Sequence, residues 1–255
     1  MEINLIGFNT TLGKKKPENI INKTAPCPFC DRENLSGIVD TDGDLVLLKN
    51  KYNVIEDADQ FVLIESKICH SDIPDYSREH MHRLIRFGVH HWQKMQDSGK
   101  YETVIFFKNF GPLSGGTLRH PHMQIVGFRS LNENLTFDPM EFEGLTISEE
   151  NGVDFNISTC PRIGFGEFNV VPKTSEPLGT VADDIQIAVD YLMHHFNKRC
   201  NSYNIFFYQE RGVLRAKIMP RFATSPLFIG YNIRFRPSNL EDLRNNVRKI
   251  YFDRK

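Results

Sequence analysis

The order of secondary-structure signals along the 255 residues is written twice. In the first half, Leu45–Leu48 and Phe61–Glu65 read as strands and a loop follows. A helix then carries Met81, Leu84, Ile85, Val89, Trp92 and Met95 at three- and four-residue spacing and ends near Gly99. Ser77 is its expected N-cap. Thr103–Phe107 is a strand, a Gly-rich loop follows, and His120–Phe128 is another strand. In the second half, Glu167–Val171 is a strand, a helix runs from about Val181 to Lys198, and Asn204–Tyr208 and Val213–Met219 are strands about a turn. Glu150-Asn-Gly152 reads as a hairpin turn, and Leu240–Phe252 as a closing helix. A chain that repeats strand, loop, long helix, strand, turn, strand is expected to be an α+β protein. It should consist of two tandem repeats, each an antiparallel sheet with one long helix, and the boundary is expected near residues 130/131.

Bulk composition excludes several classes. With 31 basic against 32 acidic residues there is no basic surplus to neutralise a phosphate backbone, so no nucleic-acid partner is expected. No apolar run is long enough to span a bilayer. Met1–Gly7 lacks the basic n-region of a secretion signal. Five cysteines, an odd number, suit reduced thiols and a cytoplasmic home. Residues 8–26 read as an irregular arm whose Lys14-Lys15-Lys16 run is taken as solvated surface, phosphate contact being the alternative.

Chemistry concentrates in the first half. Cys27-Pro-Phe-Cys30 is a Cys-x-x-Cys knuckle. Without the βαβ context of a redox pair, it reads as half of a tetrahedral zinc site. His70, in a loop after a strand, and His120, beside the Gly-rich loop, are the best further ligands. Cys69 is an alternative thiolate ligand, read as a buried thiol. His120, His122 and Gln124 alternate, which places them on one face of a strand. Ser114-Gly115-Gly116-Thr117 offers backbone N–H groups and hydroxyls with little side-chain bulk, as a phosphate cradle requires. A histidine that attacks phosphorus needs one ring nitrogen held as N–H, for which a backbone carbonyl of its own strand would serve.

At these residues the chain resembles the galactose-1-phosphate uridylyltransferase branch of the histidine-triad superfamily. The anchors are Cys-Pro-Phe-Cys, Asn50-Lys-Tyr52, Phe61-Val-Leu-Ile-Glu-Ser66 with His70, Lys108-Asn109, Ser-Gly-Gly-Thr and His-Pro-His-Met-Gln. The resemblance implies one structural zinc held by Cys27, Cys30, His70 and His120. It implies His122 as the nucleophile forming a nucleotidyl-enzyme and Gln124 as a hydrogen-bond partner of its phosphoryl oxygen. Asn109 and Thr117 would contact phosphates, and Asn50 and Tyr52 would lie along the nucleoside. It also implies that the two repeats form a pseudo-dimeric unit, the second being degenerate, and that two copies pair as a homodimer.

The second half departs from that pattern. Leu214-Arg-Ala-Lys-Ile-Met219 holds no histidine, so no second metal is expected. Gly230-Tyr231 is followed by Asn232 rather than the sugar-holding Glu. The expected activity is nucleotidyl transfer from a nucleoside-diphosphate sugar or dinucleotide to a sugar phosphate or inorganic phosphate. A nucleotidyl hydrolase and a non-catalytic nucleotide-binding protein are the alternatives. Gln124 argues against the first, because a neutral amide does not act as an acid–base group toward water.

Overall fold

β-Branched, leucine and aromatic side chains build strands where the sequence concentrates them, and in the computed structural model, which describes residues 5–131 and 138–253, they do so in two sets of five. The chain divides into two units, Met1–Asp72 with Arg83–Phe137, and Ile73–His82 with Asp138–Lys255.

In the first unit β1 (Ile38–Asp42), β2 (Leu45–Lys49), β3 (Ala58–Ile64), β4 (Thr103–Phe110) and β5 (His122–Phe128) run antiparallel in the order β1-β2-β3-β5-β4. The arm before them contains one short helix, α1 (Thr10–Gly13), and the long helix α2 (Arg78–Gln96) belongs to this unit from Arg83 onward. In the second unit β6 (Gly144–Glu150), β7 (Val153–Ser158), β8 (Phe168–Pro172), β9 (Tyr203–Glu210) and β10 (Val213–Pro220) run antiparallel in the order β6-β7-β8-β10-β9. Its helices are α3 (Leu178–Tyr191), which continues as a π-helical turn over Leu192–Phe196, α4 (Pro226–Tyr231) and α5 (Leu240–Tyr251). The fold is α+β with two tandem repeats, and the matching strand orders are the duplication read in the sequence.

Helix α2 buries most of the stripe that predicted it, Met95 alone staying part-exposed. Met81, Leu84, Ile85, Val89 and Trp92 are inaccessible or nearly so, and the Trp92 indole N–H donates to the Val104 carbonyl at 2.8 Å. Each such side chain contributes roughly 1.5–3 kcal/mol by leaving water. Gly88 brings α2 close to its sheet, since a Cβ there would stand 2.6 Å from the Phe106 ring. Ser77 caps this helix by accepting the His80 N–H at 3.2 Å. The Glu150-Asn-Gly152 turn joins β6 to β7 with φ of 50° at Asn151 and 75° at Gly152, the left-handed pair that a two-residue hairpin needs.

Three boundaries differ from expectation. β1 carries no apolar alternation and all five of its residues are exposed, so no periodicity announces it. β5 begins at His122, because Pro121 has no N–H to give to a ladder. The second helix leaves the α form at Leu192 rather than running on to Lys198.

One buried acid gives the second repeat a pH dependence. Burial, then the charges of Glu150, Asp183 and Asp154, pushes the Asp184 carboxyl up to about 8. A carboxyl raised in the folded state binds its proton more tightly there than in the unfolded chain. Its stabilisation is therefore complete below about pH 4 and lost as pH rises through about 8, by on the order of 1.4 kcal/mol per pH unit between. Urea midpoints measured at pH 5 and pH 8 should differ less in Asp184→Asn than in the parent. Equal pH dependence in the two proteins would show that Asp184 titrates normally.

Candidate active site

The Cys27–Cys30 knuckle rests on an apolar floor. Val46, Leu48, Val62 and Ile64 from β2 and β3 form a buried cluster against which Phe29 and Leu35 pack. Ile64 and Val62 pair with His122 and Gln124 of β5, so the knuckle covers the sheet face on which those two residues stand. Phe29 touches both histidines edge-on, with ring centroids 5.8 Å from His120 and 5.4 Å from His122.

Cys27, Cys30, Cys69 and His120 converge, their four candidate ligand atoms lying within 4.8 Å of one another. His120 Nε2 donates to the Ser66 carbonyl at 2.8 Å, which leaves Nδ1 as the lone-pair nitrogen. That Nδ1 stands 3.6 Å from the sulfurs of both Cys27 and Cys30. Nitrogen at about 2.05 Å and sulfur at about 2.3 Å from a tetrahedral zinc lie about 3.6 Å apart, so the spacing fits that ion. The electrostatics fit as well. Burial, then the Cys69 and Cys27 thiols, raises Cys30, and burial raises Cys69. Burial also opposes ionising Cys27, but its hydrogen bonds with His120, Cys30 and the Phe29 backbone together outweigh burial and lower that thiol. Three thiolates crowded together ionise jointly only with a cation between them.

His70 is not in this group. It is exposed, and its neighbour Cys69 supplies the fourth candidate ligand instead. The reason is the turn after β3, where Ser66 Oγ accepts the Ile68 N–H at 3.0 Å and the Ile68 carbonyl accepts the Ser71 hydroxyl at 2.9 Å. That turn directs residue 69 inward and residue 70 out.

His122 is buried beside a cavity of about 300 Å³. Its Nδ1 lies 2.7 Å from the His120 carbonyl, and since a carbonyl only accepts, Nδ1 carries the proton and Nε2 the lone pair. Burial, reinforced by the charge of Lys108, lowers the imidazole to about 4, so it is neutral near pH 7. Lys108 is itself fully buried, with Nζ 2.6 Å from Glu65 Oε1 and 3.4 Å from Asp72 Oδ1. Gln124, Asn50, Tyr52, Gly115, Gly116 and Thr117 also line the cavity. Ser114 and Asn109 do not. The Ser114 hydroxyl turns back to the Gly111 carbonyl at 2.8 Å, and the Asn109 Cβ lies 3.4 Å from where a Cβ on Gly116 would stand.

Family models match residues 8–131 as the "Domain of unknown function (DUF4931) N-terminal domain" and 134–252 as its C-terminal domain. A DUF4931 family protein from Bacillus cereus of known crystal structure is 38% identical, with 85% of this chain covering 100% of that one at a TM-score of 0.77. The chain belongs to the DUF4931 family. The DUF4931 chain also shares its fold with a uridylyltransferase (14% identity, 88% of this chain and 93% of that one, TM-score 0.70). It shares it equally with an ADP-glucose phosphorylase from Arabidopsis thaliana with bound ADP-glucose (15%, 92% and 98%, TM-score 0.69). At the level of the fold, both neighbours agree with the resemblance that the sequence motifs carry. No curated protein matches the chain.

One DUF4931 residue expected on the solvated surface stands in the site. Lys16 is half-buried and lines the cavity with Pro17, and burial lowers its ammonium. The arm is held there by Asn19, whose N–H donates to the Thr117 carbonyl at 3.0 Å and whose Oδ1 accepts the Arg119 N–H at 2.8 Å. The local cue was Lys16-Pro17, a cation with a fixed backbone turn behind it. Among the described residues, no helix is long and apolar enough to cross a membrane.

Proposed function

We propose that this protein is a nucleotidyltransferase working through a covalent His122 intermediate. Its donor would be a nucleoside-diphosphate sugar or a dinucleotide. His122 Nε2 attacks the phosphorus next to the nucleoside, an N–P bond forms, and the P–O bond to the departing phosphate breaks. A phosphate oxygen of a sugar phosphate or of inorganic phosphate then attacks the same phosphorus and the N–P bond breaks. The observation that carries this reading is the His122 Nδ1–His120 carbonyl bond, which leaves a neutral imidazole with its lone pair on the nitrogen that must react.

In this reading Gln124 donates to the phosphoryl oxygen, and the Gly115-Gly116-Thr117 backbone with Lys16 holds the phosphates. Asn50 and Tyr52 flank the nucleoside, while Asn109 and Ser114 shape the phosphate loop from behind. Cys27, Cys30, Cys69 and His120 would hold one zinc. Bound there, it supplies rigidity to the knuckle and to the chain entering β5. The bound ADP-glucose of the phosphorylase neighbour makes nucleoside-diphosphate sugars the first donors to try. The working unit is proposed to be a cytoplasmic homodimer. Leu227, Ile229, Tyr231 and Ile233, all exposed apolar side chains, support the pairing.

The test is intact mass after incubation with a panel of nucleoside-diphosphate sugars and dinucleotides without acceptor. A nucleoside monophosphate adduct is expected on the parent protein and none on His122→Ala. Addition of phosphate or sugar phosphates should then discharge it and identify the acceptor. No adduct across the panel would refute covalent transfer.

A further inference from the structure

The second repeat contains another cavity, of about 490 Å³, whose walls include Phe165, Phe196, Phe222 and Leu243 with Asn197 and Arg199 at polar positions. The nucleotidyl chemistry makes no use of it. Its size is that of a small-molecule site, and three separate features of the chain converge on it.

The first is a built loop. Phe165 has φ of +70°, between Gly164 at +142° and Gly166 at +79°. A phenylalanine in the left-handed region is strained, and strain of this kind persists where the surroundings impose it. Here they do. The buried Glu167 carboxylate accepts the N–H groups of Arg162, Ile163 and Gly164 at 2.7, 2.8 and 3.1 Å. A Cβ on Gly164 would stand 2.9 Å from the Phe235 carbonyl, and one on Gly166 would stand 3.3 Å from the Phe196 ring. The outcome is a Phe165 ring 5.5 Å from that of Phe222 yet 38% exposed, which is costly placement for a side chain that merely fills a core.

The second is the π-helical turn Leu192–Phe196 at the end of α3, which brings Phe196 to the wall and releases the chain as extended backbone at Asn197. Such turns are rare overall and frequent at functional sites. The third is Arg199, a solvent-exposed guanidinium at the same cavity that makes no ion pair among the described residues and is available to a ligand there.

We propose that this cavity binds a small planar aromatic anion, its ring among Phe165, Phe196 and Phe222 and its carboxylate, sulfonate or phosphate group on Arg199. Aromatic walls favour stacked or edge-on rings, and a guanidinium favours an oxyanion. The purely apolar face of a second protein copy would leave Arg199 desolvated and unpaired, so charge selects the small anion.

The probe is 1-anilinonaphthalene-8-sulfonate, with uncharged N-phenyl-1-naphthylamine as its control, titrated into the full-length protein by fluorescence. Saturable enhancement by the sulfonate is expected. Arg199→Gln should weaken it by about tenfold, the worth of a charge-assisted hydrogen bond, and leave the uncharged probe unchanged. Phe165→Gly, which accepts the positive φ, should abolish binding of both probes while keeping a melting temperature at or above the parent's. Unchanged sulfonate affinity in both variants would overturn the proposal. So would a shift in sedimentation coefficient in either variant, because that would make the cavity an interface between copies.

Discussion

Cys69→Ser should leave the protein without the proposed zinc, whereas His70→Ala should leave one zinc per chain. Sulfur and nitrogen ligands in a closed four-coordinate site contribute folding free energy outright. Loss of an outer partner of a ligand costs roughly 10–100-fold in affinity, and loss of one of four direct ligands should cost considerably more. The damage should spread from the knuckle, because Phe29 packs on the rings of both His120 and His122 and the Ser66 carbonyl that orients His120 also accepts the Arg32 guanidinium at 2.6 Å. Metal analysis of the two purified variants decides the matter, and the melting curve of Cys69→Ser should fall toward that of chelator-treated parent. Zinc retained in Cys69→Ser and lost in His70→Ala would restore His70 as the ligand.

That choice between neighbours marks where sequence reasoning reached its limit. Period-two alternation assigns faces only while the chain is a strand, and β3 ends at Ile64. Past Ser66 the phase depends on hydrogen bonds of the turn itself, so a histidine and a cysteine side by side could not be told apart by pattern. The same physics made the rest legible. Long helices announce themselves through the buried stripe of α2, and Gly-Gly before a strand announces a backbone free of side-chain bulk, which here lines the cavity. A backbone carbonyl of its own strand was the expected partner of His122, and His120, just ahead of β5, provides one at 2.7 Å. Lys16 was hidden for the opposite reason. Its place in the cavity depends on Asn19 reaching residues about a hundred positions away, at Thr117 and Arg119, and no local period encodes that contact. Likewise the Gly164-Phe165-Gly166 loop carries a visible glycine signal but not the Phe222 and Phe196 partners that give it meaning.

The two repeats use one strand order for different ends. In the first, β5 begins with a histidine whose Nε2 keeps its lone pair. In the second, β10 places Lys217 where no solvent reaches, and protein oxygens satisfy it. Its ammonium donates to the Glu141 carbonyl at 2.7 Å and to Asn169 Oδ1 at 2.9 Å, and pairs with Glu167 Oε2 at 3.1 Å. Burial lowers this lysine and the Glu167 charge opposes that shift. A cation so enclosed is structural, and it secures the carboxylate that holds the backbone of residues 162–164.

Lys217→Met should therefore cost about 3–5 kcal/mol, because it leaves the Glu167 carboxylate buried without its counter-charge. For a chain of this size that is a fall of roughly 10 °C in melting temperature. Adding Glu167→Gln to Lys217→Met should recover part of the loss, since the amide keeps the shape and removes the stranded charge. Adduct formation per folded molecule should persist in both variants, because His122 and the cavity that it lines belong to the other repeat. Full stability in Lys217→Met, or a double variant no more stable than the single, would show that the buried pair does not act as a pair.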